Sequence, residues 1–265
     1  DIMDTSASLR YQQATENIIM PALQELMEGL IKIADQEKET VQIGRTHGQH
    51  AVPVTFGFTM ALYISRLGQR LAKIKNTAND LRGKMAGAVG AYNASSIFIQ
   101  DPITFEEEVL AEINLKPAPI SSQIVQPEYV TDFIHTLVST FGIIANIADD
   151  MRHLQRTEID EVGEHFAPDQ VGSSTMPHKR NPINYENIKS MYKEFMPRMT
   201  TVYLDQISEH QRDLTNSASG RFVVEVITGL YLSIRRLTRV IHKMWVNREQ
   251  MQENFNKTRE SFIAE

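Results

Sequence analysis

The segment Ile134-His135-Thr136-Leu137-Val138-Ser139-Thr140-Phe141-Gly142-Ile143-Ile144-Ala145-Asn146-Ile147-Ala148-Asp149-Asp150-Met151-Arg152-His153-Leu154 decides the fold. Its apolar residues Ile134, Leu137, Phe141, Ile144, Ile147, Met151 and Leu154 recur every three or four positions, which places them on one face of a helix. The same seam returns in Ile19, Leu23, Leu26, Leu30 and Ile33, in Met60, Ile64, Leu67, Leu71 and Ile74, and in Ile227, Leu230, Ile234, Leu237, Ile241 and Met244. Heptad-like spacing held over such lengths predicts long helices packed nearly parallel or antiparallel. A fifth helix is expected from Pro182 to about Ser208, with Ile188, Phe195 and Val202 on a less regular apolar face. Pro21 should kink the first helix, because proline removes a donor and crowds the preceding turn. No tandem repeat, low-complexity tract or flexible linker forces a boundary, so residues 1–265 read as one all-α domain. Seams of this kind suit a bare scaffold as well as an enzyme, so any functional case rests on the breaks between them. These are residues 39–54, 82–116 and 165–182, each enriched in Gly, Pro, Ser or Asn.

Composition narrows the chemistry. A chain of 265 residues can bury a sizeable core. Its 33 acidic and 27 basic residues give a net charge of -6 with no basic block to follow a phosphate backbone, so nucleic acid is not expected as a partner. The absence of cysteine excludes disulfides, thiolate nucleophiles and cysteine-ligated metals, which leaves oxygen and nitrogen groups for any catalysis. No apolar run approaches the length needed to cross a bilayer, and the first residues lack the basic-then-apolar order of a signal peptide. A soluble, cytoplasmic protein with no membrane partner is the expectation.

The break at Val171-Gly172-Ser173-Ser174-Thr175-Met176-Pro177-His178-Lys179-Arg180-Asn181-Pro182 is too irregular for packing to explain. Asn181-Pro182 reads as a helix start, with Asn as N-cap and Pro at the first helical position. A helix N-terminus with unpaired N–H donors beside the Lys179 ammonium would suit substrate carboxylates. A surface connection with incidental Ser and Lys fits the same residues. Upstream, Gly44-Arg45-Thr46-His47-Gly48-Gln49 sits just before Pro53, where a helix is expected to open, and would place the His47 imidazole in a short polar connection. Histidine titrates near neutral pH, so His47 could hold or release a proton, although a solvated loop histidine fits equally. His47 and His50 form a His-x-x-His pair, but no cysteine or evident third ligand accompanies them, and no metal or cofactor is expected. Glu186 lies in the first turns after Asn181-Pro182, where a carboxylate favours the helix dipole whatever its function. Lastly, Gln211-Arg212-Asp213-Leu214-Thr215-Asn216-Ser217, with Ser219 and Arg221 behind it, gathers two guanidinium groups and hydroxyls that suit phosphate oxygens. An interhelix turn with solvated arginines is the alternative there.

Gly-Ser-Ser-x-Met-Pro-x-Lys-x-Asn-Pro, at residues 172–182, resembles the signature of the fumarase/aspartase superfamily of lyases. Arg45-Thr46-His47-Gly48-Gln49, followed by Pro53-Val54-Thr55-Phe56-Gly57, is similar to the adenylosuccinate lyase branch, as is the Arg212 segment. The stretches Gly83-Lys84-Met85-Ala86-Gly87-Ala88-Val89-Gly90 and Pro119-Ile120-Ser121-Ser122-Gln123 fit the same branch with less force. The resemblance implies a long five-helix bundle as a central domain, assembled as a homotetramer with active sites shared between subunits. It implies beta elimination of fumarate from a succinylated purine nucleotide, with Ser173 as base, His47 as acid and Glu186 orienting the catalytic histidine and favouring its protonated state, which would keep His47 ready as a donor. Substrate-binding positions carried over are Thr46, Gln123, Lys179 and Asn181, with Arg212, Ser217 and Arg221 at the nucleotide phosphate. A segment spanning about residues 166–182 would close over substrate and be mobile when empty. Family members also carry an upstream segment and a C-terminal domain not evident here, and Asp1-Ile2-Met3-Asp4-Thr5 resembles the middle of a further motif. The alternatives are a carboxymuconate cycloisomerase, which shares both signatures, an argininosuccinate lyase, or a silent structural homologue.

Overall fold

In the computed structural model, residues 1–165, 176, 179–258 and 260 are described. The elements in chain order are α1 (Ile2–Ala14), a π turn (Thr15–Ile19), α2 (Met20–Gln36), β1 (Val41–Thr46), β2 (Gln49–Thr55), α3 (Phe56–Asn79), β3 (Arg82–Gly83), α4 (Ser95–Phe98) and α5 (Pro102–Ala111). They continue with β4 (Lys116–Pro117), α6 (Glu128–Leu154), β5 (Val162–Gly163), α7 (Ile183–Phe195), α8 (Arg198–Leu204), a 3-10 turn (Ser219–Phe222), α9 (Val223–Ile241), β6 (Trp245–Val246) and α10 (Arg248–Asn256). The fold is all-α, and among the described residues its few strands form three two-stranded ladders.

The chain forms two compact units. The first comprises Asp1–Pro21, Gln69–Thr140 and Glu194–Tyr231; the second comprises Ala22–Gly68, Phe141–Lys193 and Leu232–Glu265. The predicted seams supply the core of each. The first unit buries Ile19, Ile74, Phe133, Leu137, Val202 and Leu230, and the second buries Leu23, Leu30, Met60, Leu67, Ile144, Met151, Ile188 and Leu237. Burial of apolar surface at about 25 cal/mol per Å² is the main stabilising term in both.

Four expectations change. The helix meant to span Pro182 to Ser208 is two helices, α7 and α8, separated at Met196-Pro197, because proline cannot continue the ladder of hydrogen bonds. The helix expected at Pro53 opens at Phe56, and Val41 to Thr55 is an antiparallel hairpin. The residues 82–116 are not one open break, since α4 and α5 lie within them; Asp101 caps α5 by accepting the Thr104 N–H at 3.1 Å, with Pro102 beginning the helix. Finally, α6 is long and apolar enough to cross a membrane by length and composition alone, but 67% of its apolar window is buried in the protein, which makes it a core helix. At Pro21 the disruption takes the form of the π turn, whose i to i-5 bond from the Met20 N–H to Thr15 O widens the helix where proline would crowd it.

Candidate active site

In the second unit, β1 and β2 form a hairpin whose two-residue turn is His47-Gly48. Both residues have positive φ, 55° and 74°, as a type I′ turn requires; glycine adopts this freely, and His47 bears the strain. The sequence reading missed the hairpin because Pro53 looked like a helix start, whereas it pairs with Ile43 across a ladder whose register shifts between Ile43 and Arg45. The side chains of Thr46 and His47 are exposed at the tip. Below them, Arg45 makes a bidentate pair with Glu161, Nη2 to Oε1 at 2.6 Å and Nη1 to Oε2 at 3.1 Å. Opposite Arg45, His50 Nδ1 lies 3.0 Å from the Thr258 hydroxyl. Burial, followed by the Arg45 charge, pushes the His50 proton affinity down.

Ser173 lies outside the described residues, as do most positions of the segment 166–182 assigned to closing over substrate. Both shoulders of that segment are fixed. Gln155 accepts the Glu164 N–H at 3.0 Å and donates to the Arg180 carbonyl at 3.3 Å. Lys179 and Asn181 line a cavity of about 980 Å³ together with Arg152, Arg156, Glu158 and Trp245. The structure thus brings these two predicted residues together in a cationic recess.

One part of the sequence reading is corrected here. The N–H donors opening α7 are not left free for a substrate: Glu164 accepts the Asn184 and Tyr185 N–H groups on Oε1 at 2.9 and 3.0 Å, and the Asn184 side chain on Oε2 at 2.6 Å. Arg236 completes the set by donating to Asn184 Oδ1 at 2.9 Å. A carboxylate from the far side of the motif does the capping expected of Asn181. Glu186 stands exposed on α7 beside a recess shared with Arg152, Lys189, Ser190 and Lys193. Next to it, Asp149 receives Lys189 at 2.7 Å and Arg152 at 2.8 Å. Burial opposes ionisation of Asp149, yet these two cations outweigh it and hold the carboxyl below its ordinary range.

The remaining predicted residues belong to the first unit. The Gln123 N–H donates to Gln211 Oε1 at 3.1 Å, which joins the Pro119–Gln123 stretch to the residue preceding Arg212. Gly90, at φ 74°, packs so closely on this stretch that a Cβ would lie 1.9 Å from the Ser121 carbonyl oxygen. The loop carrying it is held from within by buried Lys84, bonded to Asp1 at 2.6 Å and the Gly87 carbonyl at 2.8 Å. Buried Glu106 accepts the Met85 N–H and the Tyr92 hydroxyl, each at 2.5 Å. Burial and the Glu106 charge push the Tyr92 phenol up to about 12. In the Arg212 turn, Asp213 accepts the Thr215 and Glu209 N–H groups at 2.9 and 3.1 Å, and Asp205 accepts the Ser219 hydroxyl at 2.5 Å. Arg212, Ser217 and Arg221 are all exposed on it, and the Arg221 N–H donates to the Ala218 carbonyl at 3.3 Å. Arg212 also has a φ of 150°, a strained value for a residue with a side chain.

Residues 1–196 match the lyase family. The chain belongs to that family. This lyase chain is 36% identical over 266 residues to adenylosuccinate lyase of Thermotoga maritima, covering 98% of itself and 59% of the relative. It is 35% identical over 260 residues to adenylosuccinate lyase of Bacillus subtilis, covering 97% of itself and 59% of the relative. The lyase chain therefore spans about three fifths of the length of these relatives. Among solved structures it resembles 3-carboxy-cis,cis-muconate lactonizing enzyme from Pseudomonas putida, with a TM-score of 0.86 and 26% identity over 97% of this chain and 56% of that one. It also resembles class II fumarase from Schistosoma mansoni, with a TM-score of 0.85 and 21% identity over 97% of this chain and 58% of that one, a likeness of fold alone.

Proposed function

We propose that this chain is the central part of an adenylosuccinate lyase that eliminates fumarate from adenylosuccinate, and from the succinylated aminoimidazole carboxamide ribotide, in purine nucleotide biosynthesis. The observation that carries this reading is the 35–36% identity to adenylosuccinate lyases along nearly the whole chain. It is supported by the Arg212 turn, where Arg212, at a strained φ of 150°, and Arg221 are both exposed along with the Ser217 hydroxyl. Guanidinium forks recognise phosphate oxygens in pairs, and Ser217 adds a further hydrogen bond. Positive φ at non-glycine residues falls on five described positions, two of which, His47 and Arg212, are proposed functional residues.

In this reading Ser173 removes the proton beside the substrate carboxylate. The negative charge that develops is stabilised by the Lys179 ammonium and the Asn181 amide. Because Glu164 already occupies the α7 donors, Lys179 carries more of this work than a bare helix end would. His47 gives its proton to the leaving nitrogen, and Glu186 orients a catalytic histidine and favours its protonated form. Thr46 contacts the substrate, Gln123 binds its succinyl portion, and Arg212, Ser217 and Arg221 hold the phosphate. No cofactor or metal takes part in these steps. The protein works as a soluble, cytoplasmic homotetramer with one helical domain over residues 1–265 and active sites shared between subunits. The single-domain reading is supported by helices α3, α6, α7 and α9, each of which runs unbroken through a boundary between the two units.

The test is fumarate release from adenylosuccinate by the full-length enzyme. Ser173→Ala should abolish turnover while leaving substrate affinity within a few-fold, and His47→Gln should lower kcat by roughly 10²–10⁴-fold. Near-normal turnover in either variant would remove that residue from the mechanism. Cycloisomerase activity is the second reading, supported by the likeness to the lactonizing enzyme. Lactone formation from carboxymuconate without fumarate release would select it.

A further inference from the structure

Glu161 sits in the acidic run Glu158-Ile159-Asp160-Glu161. The structure places it at 0% exposure. Its Oε1 accepts Arg45 Nη2 at 2.6 Å and Asn254 Nδ2 at 3.0 Å; its Oε2 accepts Arg45 Nη1 at 3.1 Å and Gln42 Nε2 at 2.8 Å. The backbone on which it stands is fixed as well, since its N–H donates to Leu154 O and its carbonyl accepts the Asn247 N–H, both at 2.9 Å. A buried ion pair adds little to stability that a well-packed apolar pair would not supply, so its contribution here is to geometry. What the geometry controls is the hairpin tip. The β1–β2 ladder changes register between Ile43 and Arg45, so the tip pairs Arg45–His50 and Thr46–Gln49 are offset from the pairs below them. Beyond that shift, the tip is attached on one side by the planar Arg45 fork and on the other by the His50 contact with Thr258. His47 lies two residues past Arg45.

We propose that Glu161 is a positioning residue for His47, acting through the Arg45 fork to fix the tip of the β1–β2 hairpin at the angle from which the imidazole delivers its proton. This rests on the reading of His47 as the acid. Glu161 also immediately precedes β5 and stands five residues ahead of the segment 166–182, so one carboxylate anchors the hairpin to the strand that leads into the signature.

Two variants of the full-length enzyme test it. Glu161→Gln keeps size but removes the charge; Arg45→Lys keeps the ion pair but loses the fork. The expected result is a fall in kcat on the order of 10²-fold for Glu161→Gln and about tenfold for Arg45→Lys, with KM changed by less than about threefold. The ring-carbon resonance of His47, assigned by its loss in His47→Gln, should shift in both variants. If Glu161→Gln fails to fold, Arg45→Lys decides alone. A kcat per folded oligomer equal to wild type, with the His47 resonance unmoved, would overturn the proposal. Should wild-type enzyme release no fumarate, the lyase reading fails separately, and the His47 resonance still decides whether Glu161 positions the ring.

Discussion

Glu164 shows how a single side chain can reverse a local inference. A helix N-terminus beside a lysine is a ready anion site when its N–H groups are open. Here a carboxylate from the other shoulder of the signature takes two of those donors and, through Asn184, reaches Arg236. The identity of the capping group decides whether the helix end serves the fold or the ligand, and the distances assign it to the fold. Replacing Glu164 with Ala should therefore lower stability by about 1–2 kcal/mol, the usual cost of a lost cap, as read from urea unfolding. Unchanged stability would mean that another group satisfies those donors. The motif residues were legible in the sequence because each is an odd choice for packing: His47 in a short polar connection, Lys179 and Asn181 beside Pro182, and Arg212 and Arg221 among hydroxyls between two helices. The groups that hold them were not. Glu161, Glu164, Gln155 and Gln42 look like ordinary polar residues until the fold sets them against partners 9 to 119 positions away.

Among the elements, the long helices followed from their seams because a period of 3.6 is readable without knowing the partner helix. The hairpin was hidden by Pro53, a residue that opens helices as readily as it sits in a short strand beside a register shift. The break at Met196-Pro197 was overlooked because Ile188, Phe195 and Val202 keep helical spacing across it. Junctions between elements carry a further consequence. Glu37, just past the end of α2, is buried and bonds Arg248 of α10 at 2.7 and 2.8 Å, while its carbonyl accepts the Gly57 N–H of α3 at 2.9 Å. Burial alone would raise its pKa, but the Arg248 and Thr40 hydrogen bonds outweigh that and lower it. A carboxyl depressed in the folded state contributes stability that is fully present above its unfolded value and is lost as pH falls through the folded one. Glu37→Gln should thus be less stable than wild type at pH 7, and the gap should narrow as pH drops below the ordinary glutamate value of 4.5. Thermal unfolding across that range checks this; a gap that stays constant would mean that charge on Glu37 is not what joins the three helices.

At the scale of the whole molecule, the proposed residues are divided. Gln123, Arg212, Ser217 and Arg221 lie in the first unit, whereas Thr46, His47, Lys179, Asn181 and Glu186 lie in the second. The proposed assembly can be tested without seeing it. In a closed oligomer each interface is repeated, so a site that draws His47 from one copy and Ser173 from another tolerates one defect per copy, provided the two defects fall in different chains. Mixing full-length His47→Gln with full-length Ser173→Ala, each inactive alone, should then restore about a quarter of wild-type kcat if subunits exchange at random, because that share of sites receives both intact residues. If both residues of a site came from the same chain, no mixture could contain an intact site, and the mixed sample would stay as inactive as its components. The recovered fraction should also rise and fall with the mixing ratio, peaking at equal amounts, which separates true complementation from a trace of wild-type enzyme.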